Sequence, residues 1–155
     1  MQNSKNKKKI ITLIGPTACN KTSTAVHLIK KFPISIIGVD SVQIYKRFNI
    51  GSAKPPKEIL EKYKHHLVDS VDPENIFSVK NFYDQAFRIV KQAHSNNTIP
   101  LLVGGTMMYF NALFKGINDI PEGNETIREE LQRELDNGGV DKLFNELKEI
   151  DPESA

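Results

Sequence analysis

Five consecutive apolar or β-branched residues, Ile10-Ile11-Thr12-Leu13-Ile14, close on Gly15-Pro16 near the start of the chain. An apolar run without polar alternation predicts a strand covered on both faces, as in a parallel sheet. The apolar positions then shift to helical spacing at Ala25, Val26, Leu28 and Ile29, which predicts a helix over 22–31, ended by Pro33. A second buried strand is expected at Ile34–Val39, closing on Asp40. Turn residues cluster at Asn49, Gly51, Pro55 and Pro56, followed by a short helix over 57–64. Helical spacing returns at Phe82, Ala86, Ile89 and Val90, predicting a helix over 79–93. A third buried strand over 99–103 closes on Gly104-Gly105, and a helix follows from Thr106 to Phe114.

Strand–helix alternation with short connections predicts an α/β domain: a doubly wound, mostly parallel sheet with right-handed crossovers and helices on both faces. Beyond Gly116 the pattern changes. Pro121-Glu122-Gly123-Asn124 reads as a linker, and 125–135 and 140–150 read as charged amphipathic helices. The expected organisation is a Lys-rich disordered leader (1–9), an α/β core (10–116), and the incomplete beginning of a small helical subdomain (117–155) whose partner helices are missing.

Composition narrows the picture only a little. A chain of 155 residues can bury its own core. Lys plus Arg total 21 against 19 acidic residues, a net charge of +2. A bulk polycation is excluded, so any nucleic-acid contact must come from a local patch. A single cysteine, Cys19, excludes an intrachain disulfide and suits a reducing cytosol. The first apolar run is too short for a signal-peptide core or a membrane span, so a cytoplasmic protein is expected.

The chemistry begins at Gly15-Pro16-Thr17-Ala18-Cys19-Asn20-Lys21-Thr22, which follows a strand and opens a helix. That is the setting of a P-loop, in which inward-pointing backbone amides and the helix N-terminus cradle phosphate oxygens. Lys21 supplies a point charge, and the Thr22 hydroxyl is a candidate Mg²⁺ ligand. Asn20 stands where the pattern has its second glycine; asparagine is among the residues that best tolerate a left-handed backbone, at a cost on the order of 1 kcal/mol. Cys19 reads as a small loop-filling residue. The core is therefore of P-loop type.

In such sheets ligands sit beyond the carboxyl ends of the strands. Two further strand ends carry polar residues: Asp40-Ser41-Val42-Gln43 and Gly104-Gly105-Thr106. Asp40 is a candidate general base or metal-sphere carboxylate, or else a turn former; Thr106 is a site residue or a helix N-cap. A P-loop kinase usually ends a second apolar strand in a metal-linked Asp and carries an Arg-rich lid. Here the strand ends in Gly-Gly, and the only arginines are Arg47, Arg88, Arg128 and Arg133. His65-His66, adjacent on an extended segment, would point to opposite faces and read as ordinary polar residues. The lysines at 54, 57, 62 and 64 read as a solvated face or as an RNA-facing patch.

In order along the chain stand Gly15-Pro16-Thr17-Ala18, Lys21-Thr22, Val39-Asp40-Ser41 with Gln43, Ile50-Gly51-Ser52-Ala53-Lys54-Pro55, His65-His66-Leu67-Val68-Asp69 and Leu101 to Tyr109. Together they resemble the tRNA dimethylallyltransferase family, from Ile10 to Asp151-Pro152. The resemblance implies that residues 15–22 hold the diphosphate of dimethylallyl diphosphate. It also implies Mg²⁺-assisted prenyl transfer to N6 of the adenosine 3′ of the anticodon in tRNA. Asp40 would be the general base and Thr106 a second catalytic contact. Asp40, Ser41, Val42, Gln43, Thr106 and Arg128 would meet the tRNA, with the target base extracted from its stack. A monomer is expected. Family members continue further in helices, so the chain is expected to be C-terminally truncated. The alternative readings are a P-loop nucleoside or nucleotide kinase, and an inactive diphosphate- or RNA-binding remnant.

Overall fold

The computed structural model describes residues 8–117 and 123–155. Most of the expected leader, and Pro121-Glu122 of the expected linker, lie outside the described residues. The chain divides into two compact units, 1–117 and 118–155.

In the first unit the elements run β1 (Ile11–Ile14), α1 (Lys21–Ile29), β2 (Ile34–Val39), α2 (Lys57–Lys62), β3 (His65–His66), α3 (Val79–Ser95), β4 (Ile99–Gly104) and α4 (Met107–Lys115). The four strands form one parallel sheet in the order β1-β4-β2-β3. Side-chain alternation sends the two faces of the sheet to different helices. Ile34, Ile36 and Leu101 pack with Ala25 of α1 on one face. Ile37, Val39 and Leu102 pack with Phe82, Ala86 and Val90 of α3 and with Tyr109 and Phe110 of α4 on the other. Phe82 and Tyr109 stack with ring centroids 4.1 Å apart, joining the two helices. This is a doubly wound P-loop-type α/β fold.

β2 and β4 are the largely buried strands that their apolar runs predict. β1 is not. Ile11 and Ile14 are each 43% exposed, and only Leu13 packs into the α1 cluster. Among the described residues β1 pairs with β4 alone, at the edge of the sheet, so one flank has no neighbour. An apolar run reports that a strand can be buried; its place in the sheet is a matter of pairing.

Capping fixes the helices locally. Ser78 and Asn81 form a reciprocal capping box at the start of α3. In the second unit, α5 (Glu125–Ile150) is capped by the Asn124 side chain, which accepts from the Thr126 amide. Gly139, at φ 72° and ψ 175°, breaks α5 into two helical stretches, as the two-helix expectation required. No helix among the described residues is long and apolar enough to cross a membrane.

Candidate functional site

The carboxyl ends of β1, β4 and β2 open on one cleft, with a cavity volume of about 910 Å³. It is lined by the whole loop from Gly15 to Thr22, by Asp40-Ser41-Val42-Gln43, and by Gly104-Gly105-Thr106. Three segments far apart in sequence meet because the strand order places β4 between β1 and β2. Among the lining residues the charges are Lys21 and Asp40.

The 15–22 loop takes its shape from two left-handed residues, Ala18 at φ 66° and Asn20 at φ 61°. Asn20 is also the N-cap residue of α1, with ψ 23°. The backbone freedom for which the pattern uses glycine is thus required at position 20, and asparagine supplies it. Lys21 Nζ donates to the carbonyl of Gly15 at 2.8 Å and to that of Pro16. The ammonium thereby ties the start of the loop to the start of the helix, at the place where phosphate oxygens would compete for it. A Cβ on Gly15 would lie 2.7 Å from Cys19 Sγ, so the exposed Cys19 side chain packs where only a glycine leaves it room.

Asp40 shapes its own segment. Its Oδ1 accepts from the amides of Val42 (2.9 Å) and Gln43 (3.0 Å), closing an Asx-type turn directly after β2. Among the described residues Oδ2 has no hydrogen-bond partner, so one carboxylate oxygen builds the turn while the other remains for a ligand. Thr106 occupies the N-cap position of α4 without making a side-chain cap. Its Oγ1 accepts instead from the Ser41 amide at 3.1 Å, linking the ends of β4 and β2 across the cleft. The amides of Gly105 and Thr106 both donate to the Val39 carbonyl, at 3.2 and 3.3 Å. That junction needs Gly104, where a Cβ would lie 1.9 Å from the Val39 oxygen.

Ser52 and Ala53 also line the cleft and were not singled out as site residues from the sequence. Gln43 Nε2 brings them there by donating to both of their carbonyls at 3.1 Å. The cluster of turn residues around Gly51 signalled a loop but not where it would dock. Lys54 belongs neither to a solvated face nor to an RNA-facing surface patch. Its side chain is only 4% exposed, and its ammonium donates to Tyr45 O, Asn49 Oδ1 and Asp69 Oδ1. Lys57, by contrast, is 88% exposed. Arg128 stands in the first turn of α5, in the second unit.

His65 lies beside β2, its Nδ1 2.6 Å from the Tyr63 carbonyl, which fixes the proton on Nδ1 and leaves Nε2 buried without a partner among the described residues. Burial lowers its pKa from the usual histidine range, partly opposed by the Tyr63 bond. His66 is lowered by burial and by the nearby charges of Lys64 and His65. Neither lines the cleft.

The fold is thus a doubly wound sheet with a P-loop-type loop at its carboxyl edge. The sequence model of the IPP transferase family matches residues 43–155, and the chain belongs to that family. It is 43% identical over 146 residues to a tRNA dimethylallyltransferase of Dichelobacter nodosus, covering 94% of this chain and 46% of that protein. A tRNA dimethylallyltransferase of Legionella pneumophila is also 43% identical, over 148 residues, with coverage of 96% and 47%. The chain spans about half the length of the curated relatives it matches.

Among solved structures, the full-length tRNA isopentenylpyrophosphate transferase of Bacillus halodurans matches with a TM-score of 0.69 at 38% identity, over 96% of this chain and 49% of that one. A eukaryotic dimethylallyltransferase acting on tRNA matches with a TM-score of 0.78 at 28% identity, over 94% and 36%.

Proposed function

We propose that this chain carries the diphosphate-binding and base-activating half of a cytosolic tRNA dimethylallyltransferase, acting as a monomer. The observation that carries the reading is the meeting of the 15–22 loop, the Asp40–Gln43 turn and Thr106 in one cleft. The loop amides and Lys21 suit the diphosphate of dimethylallyl diphosphate. To reach it, Lys21 exchanges the Gly15 and Pro16 carbonyls for phosphate oxygens.

At the other end of the cleft, the Asp40–Gln43 turn and Thr106 receive the target adenine, taken out of its stack so that N6 can enter an enclosed site. N6 attacks C1 of the dimethylallyl group, and the C1–O bond breaks with its electron pair leaving on diphosphate. The proton released from N6 passes to Asp40 Oδ2, the carboxylate oxygen that the turn does not use. Lys21 and the oriented loop amides offset the charge that grows on the departing diphosphate. Arg128 contributes to tRNA contact from the second unit.

Mg²⁺ fits this donor set. The Thr22 hydroxyl lines the cleft at the end of the 15–22 loop and is a hard oxygen donor of the kind that shares the ion with phosphates. Among the described residues no group of three or more His, Cys, Asp or Glu could hold a metal ion by itself, so the remaining ligands would be diphosphate oxygens and water. When bound, the ion would add Lewis-acid stabilisation of the leaving group.

The test is transfer of labelled dimethylallyl from its diphosphate to unmodified tRNA, with binding of inorganic diphosphate measured beside it. Asp40→Asn keeps an oxygen for the Val42 and Gln43 amides but removes the base; transfer should fall by at least about 100-fold with diphosphate affinity retained. Absence of diphosphate binding in the parent chain, or phosphoryl transfer from ATP in place of prenyl transfer, overturns the reading.

A further inference from the structure

A second wall of the cleft is built by a loop that has little reason of its own to hold its shape. Residues 46–56 contain no helix or strand, and Ile50 is 98% exposed. Yet Ser52 and Ala53 from this loop face the cavity beside Gln43. The backbone around it is strained. Seven non-glycine residues have positive φ among the described residues, and four of them, Arg47, Ala53, Leu67 and Asp69, lie in this loop or in the segment that abuts it. Such conformations persist only where the surroundings over-determine them.

One side chain supplies much of that constraint. Lys54 Nζ reaches Tyr45 O at 2.7 Å, Asn49 Oδ1 at 3.2 Å and Asp69 Oδ1 at 2.8 Å. These three partners lie at the entrance to the loop, within it, and on the strained segment after β3. All three ammonium donors are used, and the side chain is buried to 4% exposure. Ser52 completes the closure: its Oγ donates to Phe48 O at 2.6 Å and accepts from the Lys54 amide at 3.3 Å. With the carbonyls of Ser52 and Ala53 so placed, Gln43 can bond both.

We infer that Lys54 is a positioning residue for the acceptor end of the cleft, its buried ammonium holding the 47–53 loop as the wall against which the nucleotide base docks. The identity of the acceptor rests on the tRNA reading given above; the clamp does not. Lys54 itself lies outside the cleft lining. Its removal should therefore alter acceptor binding while leaving the 15–22 loop intact.

The experiment compares the parent chain with Lys54→Met and Asp69→Asn. The second variant removes one charge from the clamp while keeping a residue that tolerates a left-handed backbone, and so guards against a Lys54→Met protein that does not fold. Amide hydrogen exchange of residues 43–54 should accelerate by about tenfold or more in either folded variant, with β2 and β4 unchanged. Affinity for an unmodified anticodon stem-loop RNA should fall by about tenfold, and affinity for inorganic diphosphate should stay within about twofold.

Acceleration spread evenly over β2 and β4 would make Lys54 a stabilising residue of the whole unit and overturn the inference. So would local loosening with RNA affinity unchanged. If the parent chain binds diphosphate but no RNA, the tRNA reading fails by itself, and hydrogen exchange still decides whether the clamp exists.

Discussion

Gly104→Ala tests how tightly the floor of the cleft is built. The added Cβ would stand 1.9 Å from the Val39 carbonyl oxygen, 2.5 Å from its carbon and 2.8 Å from Val39 Cβ. Backbone, not a pliable side-chain tip, meets the new methyl, so the carboxyl ends of β2 and β4 must part until the closest approach is at least 3.0 Å. The Gly105 and Thr106 amides, already 3.2 and 3.3 Å from the same oxygen, then lose their acceptor. Overpacking costs about 1–3 kcal/mol, and two backbone hydrogen bonds contribute about 1 kcal/mol each. A destabilisation of about 3 kcal/mol lowers Tm by on the order of 10 °C in a chain of this size.

Thermal and urea unfolding of the 155-residue chain measure that loss. Gly38→Ala serves as the comparison, because its closest clash, 2.6 Å from Val68 Cγ2, is with a side chain, and the nearest backbone atom lies 3.4 Å away. Gly104→Ala should cost clearly more than Gly38→Ala and should also weaken diphosphate binding, since Gly105 and Thr106 line the cleft. A Tm shift under about 2 °C with binding unchanged would refute the close-contact argument.

Three further outcomes are expected. Asn20→Gly removes a left-handed side-chain conformation and should raise stability by roughly 0.5–1 kcal/mol, less the entropy glycine adds to the unfolded chain; a loss on urea unfolding would contradict this. Lys21→Met should abolish measurable binding of inorganic diphosphate in calorimetry with little change in Tm, because the carbonyls it leaves at Gly15 and Pro16 can turn to water. The lowered pKa values of His65 and His66 mean that the folded chain holds fewer protons than the unfolded one as pH falls below the usual histidine range. Stability should therefore be full above about pH 6.5 and decline as pH falls further, and His65→Gln should flatten that slope in urea melts between pH 5 and 7.

Much of the fold was legible in the order of residues. β2 needed only the apolar run Ile34–Val39, and the break in α5 lay at Gly138-Gly139, where helix propensity collapses. The shape of the 15–22 loop was legible because a strand-to-helix turn is a local object, encoded by consecutive residues. The two-residue strand β3 escaped because its pairing with Ile36 and Ile37 leaves no periodic trace. Lys54 was misread for a related reason: a lysine in a charged stretch reads as solvated until Asp69, Asn49 and the Tyr45 carbonyl are seen to surround it.

By itself, then, the sequence determined the helices, the buried strands β2 and β4, and a strand-to-helix loop that tolerates asparagine at position 20. Each of these follows from dihedral preference and hydrophobic spacing within a few residues. Only the tertiary structure decided that β4 inserts between β1 and β2, leaving β1 at the edge and drawing three strand ends into one cleft. It alone decided that Lys54 is buried against Tyr45, Asn49 and Asp69. Strand order and the partners of buried charges depend on contacts between residues far apart in the chain, which no local pattern records.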